Sequence, residues 1–217
     1  MENIISFIYC VNNESIFRNS LQFLTQLKVP NGYEIEVIQV NGATSAANGY
    51  NKGMKKAKGK YKVYLHQDVY IINTNFIENI LKLFKDKEIG LIGLAGSKDI
   101  PADLVWWNSH NVYGWVYEIR KSPMRDVVTR NPVGEYEEVS LLDGLILITQ
   151  YDIPWREDVF DGWHFYDISQ SIEFLKASKK VIVPKQSIPW VIHDCGENNL
   201  TNYDLYRERL YKEYFSK

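Results

Sequence analysis

Residues 34–68 read EIEVIQVNGATSAANGYNKGMKKAKGKYKVYLHQD, and this stretch decides the fold. It opens on a β-branched run, EIEVIQV (34–40), and closes on YKVYLHQD (61–68), so it begins and ends in strands. Between them Ala43, Ala46, Ala47, Tyr50, Met54 and Ala57 recur at i, i+3, i+4, i+7, i+11 and i+14. That spacing makes one helix face, with small residues on its packed side. Lys52, Lys55, Lys56 and Lys58 load the C-terminal half, where cations complement the helix dipole, and Gly59 supplies the stop.

Upstream, IISFIYC (4–10) shows no strict alternation and reads as a strand buried on both faces. Asn12-Asn13 offers an N-cap for a helix over about residues 14–27, with Phe17, Leu21 and Leu24 inward. Pro30-Asn31-Gly32 is a turn. Downstream, Thr74 can cap a helix to about residue 87 through Phe76, Ile77, Ile80 and Phe84, and IGLIGL (89–94) is a fourth strand. The first 95 residues thus alternate strand and helix, the pattern of an α/β protein with a mostly parallel, right-handed central sheet flanked by helices.

The second half changes character. Residues 95–140 carry Trp106, Trp107, Gly114, Trp115, Pro123 and Pro132 without a clean period, and their aromatics argue against disorder. LLDGLILIT (141–149) contains a strand after Asp143-Gly144, and residues 161–177 pass from loop to helix through Ile168, Ile172 and Leu175. KVIVP (180–184) and IPWVIH (188–193) are further strands. A last helix from near Thr201 aligns Tyr203, Tyr206, Leu210 and Tyr214 on one face, for packing or for a second subunit in a homodimer.

The 217 residues suit one domain. With 25 basic and 27 acidic residues the chain lacks the basic excess that nucleic-acid binders use on phosphates. Cys10 and Cys195 make no disulfide framework, and the N-terminus has no basic region before its short apolar run, so a cytoplasmic setting is expected. No apolar run is long enough to span a membrane. The 14% aromatic content suits either cores or sites for sugars and flat ligands.

The apolar run Val63-Tyr64-Leu65 breaks into His66-Gln67-Asp68 before Val69-Tyr70 resumes it. Polar residues at the C-terminal end of a parallel strand sit where open α/β sheets bind ligands, although an ordinary strand end reads the same way. Asp68 and His193 can share one divalent cation, leaving positions for phosphates and water. The imidazole favours Mn²⁺ over Mg²⁺, while His193 reads equally as a core histidine. Asp167, just before Ile168, is either a helix N-cap or a general base. Trp163, His164 and Tyr166 are core aromatics or a platform for a sugar ring, and Asp143-Gly144 is a turn before a strand or part of the same site.

In this order the constellations resemble inverting glycosyltransferases of the GT-A (Rossmann-like) fold, the large family-2-like group, and within it the streptomycin-biosynthesis-type branch. EIEVIQVNGATSAANGYNKGMKKAKGKYKVYLHQDV carries the most specific part of the likeness. The resemblance implies a nucleotide-sugar donor, a UDP-sugar first among them, and an acceptor with a free hydroxyl such as a glycan or small glycoside. It implies that residues 1–95 bind the donor and 96–217 form an irregular, aromatic-rich acceptor half. Asn41, Asn51, His66, Gln67 and Asp68 would then face the nucleotide sugar. Asp68 matches the last aspartate of the Asp-x-Asp motif, with His66 in place of the first. DGLILIT and FDGWHFYDISQSIEFLKA match the acceptor strand and the Trp-Gly…Glu-Asp helix start. They imply that Asp143, Gly144, Trp163 and His164 face the acceptor or sugar. Asp167 takes the base position, Tyr166 stands where Glu is common, and His193 completes a Mn²⁺ or Mg²⁺ site.

Two other readings compete. A sugar nucleotidyltransferase wants a Gly-rich loop after the first strand, but Val11-Asn12-Asn13-Glu14 has none. A catalytically silent nucleotide-sugar-binding module would have no need of the Asp68, Asp167 and His193 set.

Overall fold

The computed structural model describes residues 1–120, 123–197 and 199–216. The first half follows the alternation: β1 (Ile4–Val11), α1 (Glu14–Leu24), β2 (Glu34–Asn41), α2 (Ala46–Lys56), β3 (Tyr61–Leu65), β4 (Val69–Ile71), α3 (Phe76–Leu83) and β5 (Ile89–Gly93). The second half holds β6 (Ala95–Ser97), a 3₁₀ turn (Trp106–Asn108), β7 (Val112–Glu118), β8 (Arg125–Val128), β9 (Tyr136–Glu138), β10 (Leu141–Leu142), β11 (Ile146–Thr149), α4 (Tyr166–Lys176), β12 (Lys180–Pro184), β13 (Val191–His193) and α5 (Tyr203–Tyr214).

The main sheet has the order β2-β1-β3-β11-β5-β12-β9. β2, β1 and β3 pair in parallel, as do β5 and β12. β11 enters antiparallel between β3 and β5, and β9 closes the far edge antiparallel. The sheet is therefore mixed, although most of its strands share one direction. Strict β-α-β neighbours fail at β3 and β5 because a strand from the second half separates them.

Both faces of this sheet are covered. Ile5, Phe7 and Tyr9 of β1 pack with Phe17, Phe76 and Ile80 on one side. Ile8 packs with Tyr50, Trp155, Tyr166 and Phe174 on the other. Apolar residues facing both ways along β1 give the uninterrupted run that the sequence shows.

Local chemistry sets the helix starts. Asn13 Oδ1 accepts from Ser15 N and Ile16 N at 3.1 and 3.2 Å, capping α1, and Ser45 Oγ accepts from Asn48 N at the start of α2. Three expectations shift. α1 ends at Leu24, short of residue 27. The N-cap of α3 is Asn75, not Thr74, with Asn73 Oδ1 accepting from Asn75 N. Gly59 does not stop α2 through a left-handed residue; a Cβ there would lie 2.5 Å from Ile4 O, so its smallness lets the chain pass β1.

Residues 95–140, read as irregular, build most of a second sheet, β10-β6-β7-β13-β4, with β8 beside β7. Its strands are short and pair over few residues, which is why no period shows. No described helix is long and apolar enough to cross a membrane.

Candidate active site

Strand β3 ends at Leu65, and His66-Gln67-Asp68 turns the chain from the main sheet into β4 of the second sheet. His66 N donates to Leu145 O at 3.1 Å and Val69 N donates to His66 O at 3.2 Å, which fixes the turn. Gln67 braces it from the other side. Its Oε1 accepts from Asn12 N and Asn13 N at 3.1 and 3.0 Å, tying the end of β1 to the turn.

Sheet register brings in the distant histidine. β13 pairs antiparallel with β4, setting His193 opposite Val69, and Asp194 N donates to Asp68 O at 2.9 Å. His193 Nε2 then lies 3.6 Å and His66 Nδ1 4.0 Å from Asp68 Oδ1. One donor atom from each of the three residues falls within 4.8 Å of the others.

Asp68 Oδ1 is buried and has no hydrogen-bond partner among the described residues. An orphaned carboxylate oxygen is costly unless something binds it. Burial lowers the His66 pKa, opposed by the Asp68 charge, so the imidazole tends to the neutral form that ligates metals. The donor set of one carboxylate and two imidazoles fits a divalent transition-metal ion. The sequence pointed to Asp68 and His193 as candidate ligands; His66 joins them as a third side chain that could hold an ion, missed because the motif comparison counted it as a lost aspartate.

Opposite this turn, Phe165 takes a left-handed conformation (φ 61°) and α4 begins at Tyr166. Asp167 is therefore inside the first turn and is not the N-cap, which removes the local reading of this residue. Its Oδ2 accepts from Gly144 N at 2.8 Å. Burial, and then the charge of Asp143, push the Asp167 pKa up to about 7. Asp143 Oδ1 accepts from Leu145 N at 2.8 Å, making the turn that enters β11. Gly144 must be glycine: a Cβ would clash with the Tyr166 hydroxyl and lie 3.0 Å from Asp167 Cβ.

A cleft of about 690 Å³, in the range of small-molecule sites, opens over the turn. Its walls are the end of β1 (Cys10, Val11, Asn12), the loop Gly42-Ala43-Thr44, Tyr50 of α2, and residues 161–164. Asn199, Thr201, Asn202 and Tyr206 close it. Ala46 N donates to Gly162 O at 3.1 Å, joining two walls.

His66, Gln67, Asp68, Trp163 and His164 all line the cleft, and Trp163 is 51% exposed there. Asp143, Gly144 and Asp167 stand beside Tyr166, outside the lining. Asn41 ends β2 next to the lining loop, its Oδ1 accepting from Gln39 Nε2. Asn51 departs from expectation. It is buried, donates to Trp155 O and accepts from Trp155 N, both at 2.9 Å, and so clamps residue 155 to α2 instead of reaching a nucleotide.

The wall from Asn199 to Tyr206 was missed, because the tyrosines of α5 read only as a packing stripe. That face does turn inward: Tyr203 packs 4.7 Å from Phe165, and Tyr206 donates to Asp161 Oδ1 at 2.9 Å. Asp161, aligned beside Trp163 in the sequence, was the available signal.

A family model described as "Glycosyltransferase like family" matches residues 6–214. The chain belongs to this family. No curated protein sequence matches this chain. Solved structures share its fold at low identity. The mannosyltransferase PcManGT from Pyrobaculum calidifontis, in complex with GDP-Man and Mn²⁺, superposes with a TM-score of 0.62 at 10% identity, over 99% of this chain and 65% of that one. S. aureus TarS with UDP gives 0.56 at 12% identity, over 98% of this chain and 65% of that one. TarS with UDP-GlcNAc gives 0.53 at 13% identity, over 92% and 60%. The glycosyltransferase chain thus spans just under two thirds of these relatives' length.

Proposed function

We propose that this glycosyltransferase moves a sugar from a nucleoside diphosphate sugar to an acceptor hydroxyl, with the help of a divalent cation and with inversion at the anomeric carbon. The observation that carries the reading is the His66–Asp68–His193 group with its unpartnered Asp68 oxygen, two members of which, His66 and Asp68, line the cleft. A cation held by these residues, Mn²⁺ ahead of Mg²⁺ because two donors are imidazoles, would stabilise the charge growing on the departing diphosphate.

The chain's own residues supply the rest. The end of β1 and the loop 42–44 offer backbone and small side chains to the nucleoside. Gln67 keeps the β1 end and the ligand turn in fixed relation. The exposed Trp163 ring offers a flat apolar face to a sugar. Asp167 takes the acceptor proton: raised to about 7, its pKa makes it a stronger base than an ordinary aspartate, and it is ionised above that pH. Attack on the face opposite the leaving diphosphate gives inversion in a single displacement.

UDP-sugars are the first donors to test, with GDP-sugars beside them, since PcManGT was solved with GDP-Man and TarS with UDP and UDP-GlcNAc. The acceptor is a glycan or small glycoside. Placement in the streptomycin-biosynthesis-type branch is supported by a likeness that runs nearly end to end and is most specific over residues 34–69. A cytoplasmic setting suits the two free cysteines.

The test is a thermal-shift panel of UDP-, GDP- and dTDP-sugars with and without Mn²⁺. One sugar nucleotide should raise the melting temperature, much more strongly with the cation present. A shift of equal size in EDTA for every donor removes the metal from the reading.

A further inference from the structure

The hydroxyl of Tyr166 lies 2.5 Å from His66 Nε2 and 3.5 Å from Gly144 O. Tyr166 is buried, its ring packed 6.0 Å from both Tyr50 and Trp155, so the hydroxyl has little freedom to move. A tyrosine hydroxyl has one proton to give and lone pairs to receive. Ligation through Nδ1, the nitrogen that faces Asp68 Oδ1, requires the ring's proton on Nε2. The Tyr166 hydroxyl stands where it can accept that proton's hydrogen bond while giving its own proton to Gly144 O.

We propose that Tyr166 is a positioning residue that locks His66 in the tautomer and ring orientation needed to ligate through Nδ1. The same residue joins this lock to the other end of the site: Gly144 O faces the Tyr166 hydroxyl while Gly144 N–H donates to Asp167 Oδ2. The glycine lets the tyrosine and the helix start approach, since a Cβ at residue 144 would occupy the hydroxyl's place. Partners beyond the ligands typically tune metal affinity by about 10–100-fold. The inference rests on the reading of His66, Asp68 and His193 as a cation site, and it deepens that reading by naming what holds the first ligand.

The test is Tyr166→Phe, which keeps the ring and removes one oxygen. In the metal-free protein, ¹⁵N shifts of the His66 imidazole should report a protonated Nε2 and a bare Nδ1 in the wild type, and a tautomer mixture in the variant. Mn²⁺ affinity, followed by the loss of the free-ion paramagnetic resonance signal, should weaken about 10–100-fold. The melting temperature in EDTA should stay close to wild type. A wild-type His66 already mixed or protonated on Nδ1, or a variant that binds Mn²⁺ as tightly as wild type, overturns the role given to Tyr166. A wild type that binds no Mn²⁺ overturns the cation reading itself and this inference with it. The metal-free tautomer measurement tells these two failures apart.

Discussion

Two carboxylates of this region stand in opposite electrostatic circumstances. At the turn after β3, Asp68 has two imidazoles near Oδ1 and no hydrogen donor on that oxygen. At the start of α4, Asp167 has a backbone N–H on Oδ2 and a second carboxylate, Asp143, close enough to oppose its ionisation. The first oxygen is left without a partner among the described residues, and the second carboxyl holds its proton to a higher pH than an ordinary aspartate. One fold obtains both behaviours from the same side-chain chemistry by changing only the neighbours.

The largest effect should come from breaking the proton side. Asp167→Asn should lower kcat by about 10²–10⁴-fold while a sugar nucleotide with Mn²⁺ still raises the melting temperature. Retained turnover would remove Asp167 as the base. Breaking the cation side with Asp68→Asn should cost roughly 10²–10³ in kcat/KM and abolish the Mn²⁺-dependent thermal shift. If that shift survives, the carboxylate does not hold the ion.

The pH dependence sharpens the contrast. Because the base must be ionised, kcat should rise about tenfold per pH unit below about 7 and level off above it. A flat profile between pH 5 and about 7 contradicts that assignment.

The same carboxyl has a stability signature. Its folded pKa lies above the ordinary aspartate value, so the folded state holds the proton more tightly than the unfolded chain. Stability is therefore lost as pH rises from about 4 to about 7. Asp167→Asn should melt a few degrees higher than wild type at pH 8 and show no such advantage at pH 4; an unchanged difference across that range argues that the carboxyl is not strained. The smallest effect is expected from Trp163→Ala, an exposed ring at the cleft, with KM for donor or acceptor rising about 2–10-fold. No change in either KM would remove the ring from the sugar site.

Much of the first half was legible because its elements repeat physical rules along the chain. The small-residue face of α2, the Asn13 cap and the apolar run of β1 are each set by near neighbours. The turn at residues 66–68 was legible for the same reason, since polar residues interrupt a buried strand. What escaped depends on long-range pairing. His66 became part of a candidate cation site only when β13 set His193 against β4. Asp167 stopped looking like a cap only when Phe165 took the left-handed position and Gly144 N–H reached the carboxylate. Asn51 has the residue type of a nucleotide contact, and nothing nearby in sequence announces that Trp155 will occupy both ends of its amide.

The antiparallel entry of β11 between β3 and β5 has a consequence for how the molecule is made. When residues 1–95 have left the ribosome, β3 and β5 exist with no partner on their facing edges, and the strand that joins them has yet to be synthesised. Closure across so long a span is slow, and waiting strand edges invite association with other chains. The two halves of the chain are thus not separable modules, and a fragment ending before Ile146 should aggregate. Leu145, one residue ahead of β11, supplies the carbonyl that receives the His66 N–H, so the turn at residues 66–68 is completed only as the sheet closes. A nascent chain cannot acquire its cleft before it has its fold.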